Sequence, residues 1–304
     1  MDTLKKCFEK INIRGEVSFD EPLARHTTFR VGGPADVFVT PADADALIVA
    51  LSCARENKIP VFLLGGGANI LVSDRGIRGV VVSMQGFSRI THSDDRLVVG
   101  SGLPVSDAAE YAAAHGLEGL GFLYSMPGSV GGALWMNARC YGSSISDIIE
   151  HVDIITEDLQ LERYTVKPEQ WNYKISPFQT RRVAILEATF RMSPDDPESI
   201  RARMECYRAD RDAKGHFSAP SAGSVFKNNR EFGEPTGAII DKLGLRGFRI
   251  GDAKVSDVHA NIVVNAGHAT ARDVDAVIHR LETEVSERLG LRLEREVLRV
   301  GEWD

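Results

Sequence analysis

Between residues 28 and 100, short β-branched runs alternate with Gly, Pro and Asp punctuation, at 29–31, 36–40, 60–64, 80–83 and 97–100. Runs of that length bounded by turn residues predict strands. Helical periodicity falls between them at 43–57 and again at 104–115, where a proline opens the first turn. Further strands are predicted within 150–165 and at 182–192, and Pro194, Asp195, Asp196 and Pro197 then make the strongest break in the chain. Beyond the break the pattern predicts a charged helix at 198–214, a short strand at 224–227 and a helix at 236–243. Thr270 and Asp273 are spaced as a capping box, and Val274, Val277, Ile278, Leu281, Val285 and Leu289 recur at helical spacing up to Gly290. From 291 to 300 apolar and charged residues alternate, which predicts a closing strand with Leu291, Leu293, Arg295, Val297 and Arg299 on one face.

Length and charge narrow the function. The 304 residues suggest two domains, and 36 Lys plus Arg against 43 Asp plus Glu give a net charge of −7. Without a basic field, a nucleic-acid or anionic-membrane surface is not expected. No apolar run reaches the length of a spanning helix, and the first residues alternate apolar and charged positions where an export signal needs a continuous apolar core. Cys7, Cys53, Cys140 and Cys206 lie far apart with no CxxC pair, a pattern that fits separate reduced thiols in a cytoplasm. The eight histidines are scattered without an HExxH, so no metal site is expected, and His259 and His268 read as packing or surface residues.

Three stretches carry candidate chemistry. A buried-strand pattern runs into Gly65, Gly66, Gly67, Ala68 and Asn69; successive glycines turn backbone N–H groups into one concavity, the physics of a phosphate nest. A plain tight turn accounts for these glycines as well, but a Rossmann GxGxxG does not fit, and the lysine-bearing phosphate loop is missing. A second small-residue stretch, Pro127, Gly128, Ser129, Val130, Gly131 and Gly132, opens a predicted helix, where N–H groups favour anions and glycines also serve close packing. Two such loops in one domain point to a dinucleotide cofactor. The third stretch places Ser224 just before Lys227 and Asn228, a hydroxyl followed by a cation and an amide; a solvated serine is the plain alternative. The basic residues of the helix at 198–214 read as a solvated face.

These pieces, in this order, resemble one family over nearly the whole chain, the UDP-N-acetylenolpyruvoylglucosamine reductases. The resemblance runs through 26–33 (HTTFRVGG), 64–71 (LGGGANIL), 126–132 (MPGSVGG), 137–142 (NARCYG), 220–228 (PSAGSVFKN), 251–261 (GDAKVSDVHAN) and 293–297 (LEREV). It implies an α+β fold: an FAD-binding region of the vanillyl-alcohol-oxidase (PCMH) type over 1–195, in two α+β subdomains of roughly 1–85 and 86–195, and a C-terminal α+β substrate-binding domain over 196–304. It further implies non-covalent FAD, NADPH as reductant and an enolpyruvyl nucleotide-sugar as substrate, with no obligate protein partner.

Residue by residue, the resemblance assigns cofactor contacts to Arg30, Gly65, Gly66, Gly67, Ala68, Asn69, Pro127, Gly128, Ser129 and Gly131. It makes Ser224 the acid that protonates the substrate carbon. Glu296 is the carboxyl that hydrogen-bonds the developing enolate, a role that requires burial. Tyr141, Lys227 and Asn228 contact the nucleotide-sugar. Where the family has Arg after the tyrosine of a Tyr-Arg-x-Ser run, this chain has Lys174, which keeps the charge and loses the bidentate fork. Arg139 and Asn229 are smaller departures, and the chain resembles the shorter family type that lacks an extra tyrosine loop. Two rival readings remain at this point: an oxidase of the same flavin fold on another small substrate, and a flavin or nucleotide-sugar binding protein without turnover.

Overall fold

A computed structural model describes residues 2–303. The described chain forms two compact units that interleave along the sequence: 1–19, 36–66 and 79–208 in the first, and 20–35, 67–78 and 209–304 in the second. The helices are α1 (Asp2–Lys10), α2 (Ala44–Glu56), α3 (Val105–Ala114), α4 (Val130–Trp135), α5 (Pro197–Ala213), α6 (Thr236–Lys242) and α7 (Ala271–Leu289).

The first unit holds two sheets and two cores. A four-stranded sheet runs in the order Gly15–Pro22, Pro34–Pro41, Ile77–Ser83, Val61–Leu64, with the last two strands parallel. Its core is built from Val37, Val39, Val80 and Val82 packed with Ala46, Leu47 and Ala50 of α2. Asp43 starts α2 by accepting the Ala46 N–H, as the pattern predicts for a capping residue. The second sheet has five antiparallel strands in the order Leu161–Thr165, Ile149–Ile155, Ala184–Arg191, Arg96–Gly100, Ile90–Ser93. The alanine-rich face of α3 (Ala108, Ala109, Ala112, Ala113) packs with Leu97, Val99, Val152 and Phe190 of this sheet. Small side chains there let helix and sheet approach closely.

The second unit has an antiparallel sheet in the order Ser221–Ser224, Ile262–Asn265, Ala253–Val255, Arg249–Ile250. The Val274, Val277, Ile278, Leu281 and Val285 stripe of α7 forms its core with Val225, Phe226, Val255 and Val263. Thr270 and Asp273 form the reciprocal capping box, and Gly290 ends α7 in the left-handed conformation at φ 66°. A two-stranded parallel ladder pairs Ile70–Val72 with Leu298–Val300.

Four expectations are corrected. Residues 29–31 are a buried turn and not a strand: Arg30 sits at φ 56° between the buried Phe29 and Val31, and Asn265 Nδ2 donates to the Phe29 carbonyl. The strand expected at 224–227 is displaced to Ser221–Ser224, because residues 225–227 leave that ladder and pair with 294–296. Of 291–300, only Leu298–Val300 is regular strand; the alternation is still expressed as burial, since Leu293 and Val297 enter the core. Cys7 and Cys53, expected to lie far apart, are neighbours, because α1 packs on α2 and brings together residues 46 positions apart. The Cys140 thiol donates to the Phe122 carbonyl at 2.8 Å, and Cys206 is exposed.

Candidate active site

In the first unit the two glycine loops meet. A Cβ on Gly66 would lie 2.7 Å from Gly128 Cα and 2.8 Å from Ser129 N, and one on Gly65 would lie 2.6 Å from Ser129 Oγ. Backbone therefore touches backbone, an approach that only glycine permits. Among the described residues, the N–H groups of Gly65, Gly66, Gly128 and Ser129 donate to no group of the protein. Four unpaired donors on two touching loops form the kind of concavity that takes a phosphate. The N–H groups expected to serve this purpose at the start of α4 do not. Val130, Gly131 and Gly132 donate to the Leu103 carbonyl, the Ser101 carbonyl and Ser129 Oγ. The cradle thus lies one step earlier than the helix. The hydroxyls of Ser101 and Ser125 are buried without a partner, Ser101 directly against Gly131. Orphaned polar atoms beside unpaired N–H groups fit a bound diphosphate-bearing cofactor such as FAD.

Pro127 is exposed on this loop. Tyr141, at φ 51°, stacks on Tyr207 at 4.2 Å between ring centroids and donates its hydroxyl to the Tyr207 carbonyl at 3.1 Å. Tyr141 as a whole is 37% exposed. Lys174 lies half-buried at φ 57° in a tight loop between Asn172 and Ile175, whose backbones pair, and Gln179 Nε2 holds its carbonyl.

The second unit carries the other assigned residues. Gly67 has a positive φ of 60°, and a Cβ there would lie 2.0 Å from the His26 carbonyl oxygen. Its own carbonyl accepts from Thr28 N–H. Ala68 follows it, half-buried. The Arg30 guanidinium is exposed and lines a surface depression with Ser218, Pro220, Asn265 and His268.

The segments that carry Ser224 and Glu296 are joined by backbone pairing. Phe226 faces Arg295 in an isolated antiparallel bridge, Glu296 N–H donates to the Val225 carbonyl at 2.7 Å, and Lys227 N–H donates to the Glu294 carbonyl at 2.9 Å. The hydroxyl and the carboxyl therefore sit on paired segments one residue out of register. The far side of the Ser224 segment is fixed by Asn261, 2% exposed, whose Oδ1 accepts the Phe226 N–H and whose Nδ2 donates to the Phe226 carbonyl. Arg295 anchors the Glu296 segment on α7 through a bidentate pair with Glu282 and a 2.6 Å contact to Asp275, which keep its guanidinium charged. Space beside Ser224 is open, since a Cβ on Gly223 would meet nothing within 4 Å.

Lys227 and Asn228 also have protein partners. Lys227 Nζ pairs with Glu294 at 2.6 Å, and Asn228 Oδ1 accepts the Thr236 N–H at the start of α6. Asn69 is tied to the catalytic segment: its Nδ2 donates to the Glu296 carbonyl at 3.0 Å and its carbonyl accepts the Leu298 N–H at 3.0 Å. Sequence reasoning passed over Asn261, although a lone amide heading the apolar strand Ile262–Asn265 was a signal. His216 also went unassigned, and His259, read as a packing or surface residue, lies beside it. Their rings lie 5.8 Å apart, and both are held below the usual histidine range. Burial is the main cause for each, with His259, Arg211 and Lys214 adding to it at His216, which is pushed down to about 4.

Residues 215–300 match the family described as UDP-N-acetylenolpyruvoylglucosamine reductase, C-terminal domain, and residues 35–163 match the FAD binding domain. The chain is 39% identical to UDP-N-acetylenolpyruvoylglucosamine reductase of Treponema denticola, over 95% of both chains. It is 42% identical to that of Geobacter metallireducens, over 96% of this chain and 97% of the relative. The crystal structure of the Thermus caldophilus reductase superposes with a TM-score of 0.78 at 31% identity, covering 95% of this chain and 99% of that one. No described helix is long and apolar enough to cross a membrane. With relatives matched end to end and the α+β architecture shared, the chain belongs to the UDP-N-acetylenolpyruvoylglucosamine reductase family.

Proposed function

We propose that this chain reduces the enolpyruvyl ether of UDP-N-acetylglucosamine to UDP-N-acetylmuramate, a step of peptidoglycan precursor synthesis, in the cytoplasm. The reading includes non-covalent FAD with its diphosphate on the N–H groups of Gly65, Gly66, Gly128 and Ser129. Bound FAD supplies the chemistry of accepting a hydride from NADPH and giving it to the CH₂ carbon of the enolpyruvyl group. The protein's own residues manage the charge and the proton. As hydride adds to that carbon, negative charge develops on the substrate carboxylate, and a donor aimed there lowers the barrier. Glu296, half-buried beside Val225, supplies that hydrogen bond. The Lys174 ammonium opposes the same charge. The Ser224 hydroxyl delivers the proton to the adjacent carbon. Serine is a very weak acid, so it donates only to a strongly basic centre, which a carbanionic carbon is. Tyr141, Lys227 and Asn228 are assigned to the nucleotide-sugar.

The observation that carries this reading is the pairing of Val225 with Glu296, because an acid and an enolate stabiliser on adjoining segments serve reduction of a C=C bond. Binding alone needs neither. The test is anaerobic mixing of the purified flavoprotein first with NADPH and then with the enolpyruvyl nucleotide-sugar. Bleaching of the flavin followed by its recovery is the expected result. A flavin that NADPH does not bleach, and that oxygen reoxidises rapidly after chemical reduction, would instead establish the oxidase.

A further inference from the structure

We propose that Asn69 is a positioning residue for Glu296, linking the glycine loop to the carboxyl that meets the enolate; this rests on the reading of Glu296 given above. The Asn69 carboxamide donates to the Glu296 carbonyl, and the Asn69 backbone carbonyl accepts from Leu298, so one residue grips the peptides on both sides of Val297. Val297 itself is 3% exposed and locked in the core. Immediately after Asn69 the parallel ladder begins, Ile70 opposite Leu298. The opposite flank of Glu296 is held by its N–H on the Val225 carbonyl. Its peptide N–H and carbonyl are therefore fixed by two different segments, and the Asn69 contact is made by a side chain.

Losing that contact leaves the 296–297 peptide held by the longer bond from the Val297 N–H to the Val225 carbonyl at 3.3 Å, so its plane can tilt and shift the carboxyl against the substrate while Arg295 still anchors the strand to α7. A hydrogen bond of this kind is worth up to about tenfold in a rate that depends on the geometry it holds.

The experiment uses the full-length flavoprotein and follows its two half-reactions separately by stopped flow. In Asn69→Asp the ionised carboxylate is isosteric but has no donor, whereas the protonated carboxyl regains one. The expected result is a re-oxidation by the enolpyruvyl substrate about tenfold slower than wild type at neutral pH. The ratio to wild type should recover as pH falls and the introduced carboxyl takes up its proton, a profile that a purely structural role would not give. The same substitution in a Glu296→Gln background should add little, because both changes act on one group. Retained flavin with normal re-oxidation would overturn the proposal, as would effects that simply add in the double variant. Loss of flavin with normal re-oxidation of reconstituted protein would reassign Asn69 to the cofactor. If Asn69→Asp does not accumulate folded, Asn69→Ser, which keeps a shorter donor, is read by the same half-reaction and double-variant criteria. Normal re-oxidation in Glu296→Gln alone would bring down the reading of Glu296 and this proposal together. A slow Glu296→Gln with an unaffected Asn69→Asp would bring down the proposal alone.

Discussion

The glycine cradle of the first unit and the Ser224–Glu296 segments of the second solve opposite problems. In the cradle, side chains are excluded: the loops touch through Gly65, Gly66 and Gly128, and the ligand-facing chemistry is bare N–H. Around Ser224 and Glu296 the backbone is spent on tethering, to Val225, Asn261, Glu294 and Asn69, and the chemistry is left to side chains. The cradle is intolerant of volume but indifferent to functional groups. The Ser224 and Glu296 segments have open space at Gly223, though its φ of 71° still favours glycine, and they depend on single donors. Substitutions can push on each half of that contrast.

The largest effect is expected at Gly66→Ala. Its Cβ would press on the Gly128 and Ser129 backbone, which cannot rotate away as a side chain would. Overpacking of this kind costs about 1–3 kcal/mol or more, and spreading the loops removes the donor array. The purified variant should be colourless, as read from its flavin-to-protein absorbance ratio; full flavin content would show that the contact yields. Next is Ser224→Ala, which changes no backbone. It should keep its flavin and its reduction by NADPH while re-oxidation by substrate slows by about 10² to 10⁴. Normal turnover would remove Ser224 from the proton-donor role.

A smaller effect concerns pH. Unfolded His216 takes up a proton at the ordinary 6.5 whereas the folded residue resists down to about 4. Over that window the unfolded state binds more protons, so acidification favours unfolding. With solvent screening of a half-buried ring, the loss is on the order of 1 kcal/mol. Thermal unfolding of wild type between pH 6.5 and 4 should show a destabilisation that His216→Gln lacks. Identical pH profiles would remove His216 as its source. The smallest change is expected from Lys174→Arg, where charge is kept and only the fork is restored. Substrate re-oxidation should stay within about threefold of wild type or rise. A large loss would mean that the tight loop at φ 57° is built around lysine.

The same contrast explains what was legible in the sequence. Glycines adjacent in the chain announce a cradle, and the Thr270 and Asp273 box with Gly290 announces α7, because each signal and its effect lie within a few residues. What failed to show was pairing at long range. Nothing near Asn69 points to Glu296, 227 positions away, so the resemblance placed it with the cofactor. The run 291–300 reads as one strand since its alternation is real, yet only three residues find a ladder partner. At 29–31 the short run reads as a strand, but apolar residues buried in a turn and in a strand look alike at that length. Cys7 and Cys53 meet because two helices pack, which no cysteine spacing reveals.

The ladder between Ile70–Val72 and Leu298–Val300 sets an order on assembly during synthesis. A ribosome delivers residues 70–72 long before residues 298–300, so that strand waits without its ladder partner for most of the chain's elongation. The glycines of the cradle have all emerged by residue 131. The carboxyl of Glu296 takes its place only when the last tenth of the chain arrives and closes that waiting edge. The two glycine loops are thus made early and the pairing around Glu296 late, and a chain stalled in between carries an exposed strand open to mispairing.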